Sequence, residues 1–526
     1  METANALEIR RLALQEDLDS RKSRKERNRL GQFATPPELA SEILAYARKI
    51  FPSKASVRFL DPSFGTGSFY SALLGHFSRT PIGKALGIEL DPHYAIPARG
   101  LWSHHSLEIE LGDFTKLRPP HESDRFNLII CNPPYVRHHH LNAAEKVRLR
   151  AASHAACGVR MAGLAGLYCH FLCIAHAWMA EDGIAGWLIP SEFMDVNYGM
   201  PVKRYLLNEV ELLRIHRFES GDLQFGDALV SSSIVWFRKN RPERAHHVEL
   251  SYGGTLLQPK VSRLVAAQAL QGARKLSTFM AGEKKQEAEG PRLSDFFWIK
   301  RGLATGDNRF FILPRAEIEA RRLPWQFFRP ILPGPRYLSS NVIEADPDGA
   351  PIVEGQKFIL DCRLPENVIR ERYPQLWSYL ETGKPKVSGT YLCSRRNPWY
   401  AQENRPPAPF VCTYMGRNAG KRENPFRFLL NRSQATAANV YLLLYPVPKL
   451  AAALNEDPLL ARGIWEILDS IPVAALLGEG RVYGGGLYKL EPKELANVRA
   501  DAIAALLPKT AALPPKQSEM FRESAV

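Results

Sequence analysis

The sequence predicts an α/β fold on a parallel sheet, followed by a second unit of mixed α/β structure, and three observations lead there. Between about residue 31 and residue 240, short apolar runs alternate with helical stretches, as in strands joined by helical crossovers. Each of those runs reads as a buried strand. Beyond residue 292 the alternation gives way to aromatic and Pro-rich runs such as DFFWIK, PWQFF and RNPWYAQ.

Taken in chain order, residues 1 to 30 look helical and polar, and end in the basic run Arg21 to Arg29. Such a run serves either as a solvated helix face or as a phosphate-contacting arm. Strands are expected at Val57 to Asp61, Ala85 to Leu90, Phe126 to Cys131 and Ile184 to Pro190, with a late one at Ser231 to Phe237. Helices are expected from Ser68, from Tyr94 and across 160 to 180. Residues 241 to 292 change character and include the polar stretch AGEKKQEAEGPR. The expected organisation is therefore a basic helical extension (1–30), an α/β domain (31–278), a linker (279–292) and a second domain (293–526).

A chain of 526 residues is long enough for two or three such domains. Lys and Arg number 69 against 55 Asp and Glu, a net charge of +14, which favours a polyanionic partner. The seven cysteines, at 131, 157, 169, 173, 362, 393 and 412, show no paired spacing. That argues for free thiols in a reducing compartment. Cys169, His170, Cys173 and His176 could suggest a metal, but Leu167 to Met179 reads as an apolar helix, so no metal is expected. His138-His139-His140 reads as a polar loop. The N-terminus has no signal-peptide core and no run approaches a membrane span, so a soluble cytoplasmic protein is expected.

The residues that carry chemistry follow the expected strands. Asp61-Pro62-Ser63-Phe64-Gly65-Thr66-Gly67-Ser68-Phe69 leaves the first strand and opens a helix. Glycines there let a ligand approach backbone N–H groups at a helix N-terminus. Alone, the segment serves a structural turn as well as a cofactor site, and it is neither the full dinucleotide fingerprint nor a P-loop. Glu89, at the tip of the second strand, stands where an acidic residue holds ribose hydroxyls. Asp113 and Phe114 add a carboxylate and a ring suited to the amino group and face of an adenine.

Asn132-Pro133-Pro134-Tyr135 directly follows the strand FNLIIC. An exocyclic amine attacking a methyl group must first recover its lone pair from the ring. Acceptors on both N–H bonds do this and stabilise the positive charge that develops. Asn132 offers a side-chain carbonyl and Pro133 a backbone carbonyl, and the two prolines stiffen that geometry. Tyr135 can stack on a base extruded from a duplex.

In this order the segments resemble the gamma-class, TaqI-like adenine-N6 DNA methyltransferases of bacterial restriction–modification systems. The resemblance implies a Rossmann-like S-adenosylmethionine-dependent catalytic domain and a C-terminal DNA target-recognition domain. Gly31-Gln32-Phe33-Ala34-Thr35-Pro36-Pro37 is similar to the segment that closes over the methionine part of the cofactor, which implicates Thr35. By the same resemblance, Asp61, Gly65, Gly67, Glu89, Asp113, Phe114 and Asn132 surround S-adenosylmethionine. Phe225 resembles the ring that sandwiches the flipped adenine opposite Tyr135. Lys300 to Asn308 and Tyr483 to Pro492 resemble the segments that open and close the recognition domain. The implied partners are double-stranded DNA and a separate restriction endonuclease, with the methyltransferase acting as a monomer.

Other chemistries fit less well. Cytosine-C5 methylation needs a Pro-Cys nucleophile, and no such dipeptide occurs. Cytosine-N4 enzymes use the same amine chemistry, and Asn132 favours adenine without excluding them. Methyltransferases of ribosomal RNA or of a protein glutamine amide also carry Asn-Pro-Pro segments, but the long C-terminal extension argues against both. A catalytically silent DNA-binding protein has no need for Glu89, Asp113 and the Asn-Pro-Pro-Tyr set.

Overall fold

The computed structural model describes residues 4–219, 231–243, 245–273, 275–280, 290–417, 424–483 and 487–507. It contains two compact units, Met1–Gln286 and Glu287–Val482 with the residues from Gly486 onward. Phe225 and most of the expected linker lie outside the described residues.

The first unit opens with three helices, α1 (Ala4–Ser20), α2 (Arg24–Leu30) and α3 (Pro37–Ile50). Strands and helices then alternate: β1 (Val57–Asp61), α4 (Ser68–His76), β2 (Ile82–Glu89), α5 (Pro92–Leu101), β3 (Glu108–Leu111) and β4 (Phe126–Cys131). After them come α6 (Ala143–Cys157), α7 (Leu167–Ile174) and β5 (Met179–Pro190), then β6 (Glu211–Arg217), β7 (Ser232–Arg238), β8 (His247–Gly254) and β9 (Pro259–Ala266). All nine strands form one sheet, in the order β3-β2-β1-β4-β5-β7-β6-β8-β9.

The β3-β2-β1-β4-β5 half is parallel throughout, as the alternation predicts. The other half departs from that expectation. β7 runs antiparallel to both β5 and β6, and β9 runs antiparallel to β8. The strands at 211–217, 247–254 and 259–266 were not expected from the sequence. β6 and β8 pair in parallel, whereas the connection between β8 and β9 is too short for a helical crossover, so that pair is reversed.

Successive residues of β1 point to opposite sides of the sheet and enter different cores. Phe59 joins Leu44 of α3, Leu73 of α4 and Leu7 of α1. Leu60 joins Leu149 of α6 and Phe171 of α7. Helices therefore cover both faces, and the order of strands reverses between β1 and β4. A doubly wound sheet opens a crevice at the carboxyl ends of its strands at such a reversal. α3 starts on Pro36-Pro37, where fixed φ suits a first turn, and buries Leu39, Ile43, Leu44 and Ala47. α5 is capped by Asp91, whose side chain accepts from the His93 N–H.

The second unit is mixed, as expected. A five-stranded sheet runs Phe297–Arg301, Tyr441–Pro446, Phe410–Thr413, Phe428–Asn431, Val342–Ile343. A four-stranded sheet includes Lys357–Leu360 and Phe328–Leu332. Phe297, Phe410, Leu442 and Ile464 share one core. In the segment Lys300 to Asn308, Leu303 donates to the Ala437 carbonyl at 2.8 Å and Asp307 caps the short helix Asn308–Phe311. Of Tyr483 to Pro492, residues 484–486 lie outside the described residues. No helix among the described residues is long and apolar enough to cross a membrane.

Candidate active site

A cavity of about 730 Å³ lies in the first unit, bordered by residues at the carboxyl ends of β3, β2, β1 and β4. Its size suits a nucleoside-sized ligand. Thr35, Asp61, Gly65, Glu89, Asp113, Phe114 and Asn132 all line it, so seven of the residues singled out in the sequence converge there. Gly67, Pro133 and Tyr135 do not line it; Pro134 and Val136 do.

The turn after β1 owes its shape to glycine. Gly67 has φ +92°, and a Cβ there would come within 2.8 Å of the Trp102 Nε1 and closer to the Phe64 ring. That indole N–H donates to the Thr66 carbonyl at 2.9 Å. Gly67 thus supports the loop from behind, while Gly65 and Thr66 face the cavity. Asp61, fully buried, accepts from the Ser63 N–H at 3.1 Å. Burial pushes its carboxyl up to about 8, and the neighbouring Glu89 adds to the rise.

Glu89 is buried and bridges two loops. One oxygen accepts the Gly65 N–H at 2.9 Å and the other the Asp91 N–H at 2.9 Å. Burial raises its pKa above the ordinary value despite both bonds. A carboxylate has about four lone-pair sites, so two remain for hydroxyl donors. Asp91 beside it behaves differently. Burial opposes its charge, but Gln32 at 2.9 Å and the Lys22 ammonium hold its carboxyl below the usual range.

Asp113 offers less free surface than its position suggests. One oxygen accepts from the Thr115 N–H and hydroxyl, at 3.0 and 2.7 Å. The other faces Lys116 at 3.4 Å and Arg148 at 3.8 Å. Phe114 is buried against Phe171 and Trp178, with ring centroids 5.2 and 5.3 Å away.

Asn132 has a fixed orientation. Its Nδ2 donates to the Phe33 carbonyl at 3.0 Å and the Thr35 hydroxyl at 3.1 Å. Both amide protons are thereby used, and Oδ1 is left as an acceptor at the cavity. Tyr135 turns away from the opening as far as its hydroxyl is concerned, donating to the Leu188 carbonyl at 3.1 Å. Its ring lies 5.8 Å from that of Phe33. Burial raises the phenol pKa of Tyr135. Cys131, the last residue of β4, is fully buried, and the same cause raises its thiol.

Several cavity residues escaped the sequence reading. Gln15 and Asp19 come from α1, Glu145 and Arg148 from α6, and Phe171 from α7. The described residues of the basic run after α1 are largely exposed, as a solvated helix face would be, but some of its charges also have partners. Lys22 pairs with Asp91, Arg21 with Asp17 and Arg27 with Asp19, so these three charges are engaged within the unit. Of the three histidines, which form a 3₁₀ turn, His140 lines the cavity. Glu145 also completes a capping box with Asn142 at the start of α6, a signal the spacing Asn-Ala-Ala-Glu did carry.

With its crevice at the strand reversal and Asn132 poised at the edge, the first unit has the fold of an S-adenosylmethionine-dependent methyltransferase. Residues 99–225 match the Eco57I restriction-modification methylase family, and residues 277–526 match the C-terminal domain of the type II methyltransferase M.Eco57I. The chain is 27% identical to the type II methyltransferase M.XamI of Xanthomonas campestris pv. amaranthicola, over 91% of this chain and 86% of that one. It is 23% identical to M.AccI of Acinetobacter calcoaceticus, over 92% and 87%. The type IIL restriction-modification enzyme MmeI, solved in complex with DNA, shares the fold, with a TM-score of 0.50 and 12% identity over 88% of this chain and 64% of that one. The chain is a DNA methyltransferase that uses S-adenosylmethionine, and over most of its length it is similar to type II restriction–modification methyltransferases.

Proposed function

We propose that the chain methylates the exocyclic N6 of adenine in duplex DNA, at a site read by its second unit. The observation that carries this is the orientation of Asn132. With Nδ2 donating to Phe33 and Thr35, Oδ1 is the atom offered to a substrate. Oδ1 accepts one proton of the amine and the Pro133 carbonyl the other. Together they localise the lone pair and stabilise the charge that builds on nitrogen. The cofactor supplies an electrophilic methyl group. Glu89 holds its ribose, Asp113 its adenine amino group through the oxygen not used by Thr115, and Phe114 the face of that ring. The loop at 65–67, Asp61 and Thr35 hold the methionine end. Tyr135 and Phe225 stack on the extruded base, and the whole chain acts as a cytoplasmic monomer beside a separate endonuclease.

The test is transfer of a labelled methyl group to duplex DNA, with digestion to nucleosides and mass spectrometry. N6-methyladenine is expected. N4-methylcytosine, which arises from the same amine chemistry, would overturn the choice of base, and label only in ribosomal RNA or protein would overturn the choice of substrate. Asn132→Ala should keep cofactor and DNA affinity while lowering turnover at least a hundredfold, roughly the effect of removing one preorganised transition-state contact.

A further inference from the structure

We propose that Gln15, on the N-terminal helix α1, holds the carboxylate at the amino-acid end of S-adenosylmethionine. The proposal rests on the placement of the cofactor given above and extends it to a helix that precedes every segment used there.

Position comes first. Along the cavity the order of strands is β3, β2, β1, β4, with Asp113 beyond β3, Glu89 at the tip of β2 and the 61–67 loop beyond β1. A cofactor with its adenine at Asp113 and its ribose at Glu89 lays its amino-acid end on the 61–67 loop. Gln15 lines the cavity at that loop, with its Oε1 accepting the Thr66 hydroxyl at 2.6 Å.

The direction of that bond is set from behind. Arg11, almost fully buried, donates from Nη1 to the same Thr66 oxygen at 3.0 Å. A guanidinium only donates, so the hydroxyl proton of Thr66 must point elsewhere, and Gln15 is its acceptor. Glu8 fixes Arg11 through two bonds, at 2.9 and 2.6 Å. The relay Glu8–Arg11–Thr66–Gln15 thus turns the Gln15 amide so that Nε2 is its remaining group. Among the described residues Nε2 has no partner.

Chemistry then matches the free donor to a ligand. The amino-acid end carries an ammonium and a carboxylate. The carboxyl groups of Asp61 and Glu89, which line the cavity, carry acceptor oxygens that suit the first. An amide N–H₂ is a donor that a carboxylate accepts. The helix presenting it is anchored at two further points, where Tyr94 donates to Asp19 at 2.7 Å and the His93 ring contacts the Leu18 carbonyl at 2.9 Å, and just past its end Lys22 pairs with Asp91. A donor on so fixed a helix needs little reorganisation to bind.

The experiment compares two ligands on the full chain by calorimetry. S-adenosylhomocysteine carries the amino-acid end, and 5′-methylthioadenosine lacks it. Gln15→Ala should weaken S-adenosylhomocysteine about tenfold or more, the effect of losing a hydrogen bond to a charged group, and leave methylthioadenosine within about twofold. Gln15→Glu should weaken S-adenosylhomocysteine further, through like charge, again sparing methylthioadenosine. Gln15 is only half-buried, and melting curves check that both variants fold. Equal losses for both ligands, or no loss for either, would overturn the proposal while leaving the cofactor cavity intact. A wild-type chain that binds neither ligand would overturn the cavity assignment along with it.

Discussion

The Gly31 carbonyl accepts the Tyr135 backbone N–H at 3.3 Å, and a Cβ on Gly31 would stand 2.4 Å from that same nitrogen. Two segments far apart in the chain are therefore in backbone contact, and only glycine permits it. Gly31 also sits at φ +66°, where other residues are strained. Its contact brings Phe33 and Thr35 to the Asn132 amide. Gly31→Ala should cost roughly 1–2 kcal/mol from the backbone conformation alone, and more from the clash. It should also lower single-turnover methylation at least tenfold, because the Asn132 acceptor shifts. A variant that methylates at the wild-type rate would show that the contact does not set the catalytic geometry.

Four strands of the parallel half were legible because each contains a compact apolar run, with the chemistry at or just past its end, whereas β3, EIEL, carries two charges in four residues and was not expected. VRFLD precedes the glycine loop, and FNLIIC precedes Asn132. The role of α1 was not legible, for a physical reason. The residues it turns toward the rest of the unit include Arg11, Gln15 and Asp19, spaced four apart on one face, with Leu7 and Leu18 as its buried apolar residues among those described. A periodicity argument looks for an apolar stripe and sees in this helix a polar surface. Arg11 meets Thr66 across 55 residues of chain, a pairing that no local pattern records. Likewise, the mixed pairing of β6 to β9, with β6 parallel to β8 but antiparallel to β7, emerges only from the assembled sheet.

Glu89 is expected to act through two routes at once. Its oxygens hold the backbones of Gly65 and Asp91, and in the function proposed here their remaining lone pairs accept from the ribose hydroxyls. Glu89→Ala should weaken cofactor binding about tenfold or more. Glu89→Gln, which can keep only one of the two backbone bonds as an acceptor, should fall on the same side of wild type. Calorimetric titration measures both. Unchanged affinity in the alanine variant would remove Glu89 from the site.

Asp61 makes the stability of the cofactor-free protein depend on pH. Its carboxyl titrates at about 8 in the fold against an ordinary value of 3.8. The folded state therefore binds the proton more tightly than the unfolded state does. Its contribution is fully present below the unfolded value and is lost as pH rises through the folded one. Asp61→Asn removes that dependence. The melting temperature of the variant minus that of wild type should grow from pH 5 to pH 8 and level off above. A difference that stays flat or shrinks would mean that Asp61 is ionised in the folded protein at neutral pH.

The last prediction concerns the base that must leave the duplex. Extruding an adenine costs a few kcal/mol, and stacking on an aromatic ring returns about 1–3 kcal/mol per base. Tyr135 and Phe225, on opposite faces of the base, together offset most of that cost in the function proposed here. Phe225 lies outside the described residues, so its test must be functional. For Tyr135 the structure separates ring from hydroxyl, because the hydroxyl is spent on the Leu188 carbonyl. Tyr135→Phe keeps the ring and should retain most of the flipping, whereas Tyr135→Ala and Phe225→Ala should each reduce it about fivefold or more. The measurement is the fluorescence of 2-aminopurine placed at the target position, which rises when the base unstacks, read beside single-turnover methylation. A phenylalanine that belonged to the core would instead lower the melting temperature, by about 3–5 kcal/mol of stability on truncation. If Phe225→Ala melts early yet flips and methylates normally once folded, the second ring of the sandwich must be sought elsewhere. If Tyr135→Phe loses as much as Tyr135→Ala, the hydroxyl's hold on Leu188, and not the ring face, is what the reaction needs.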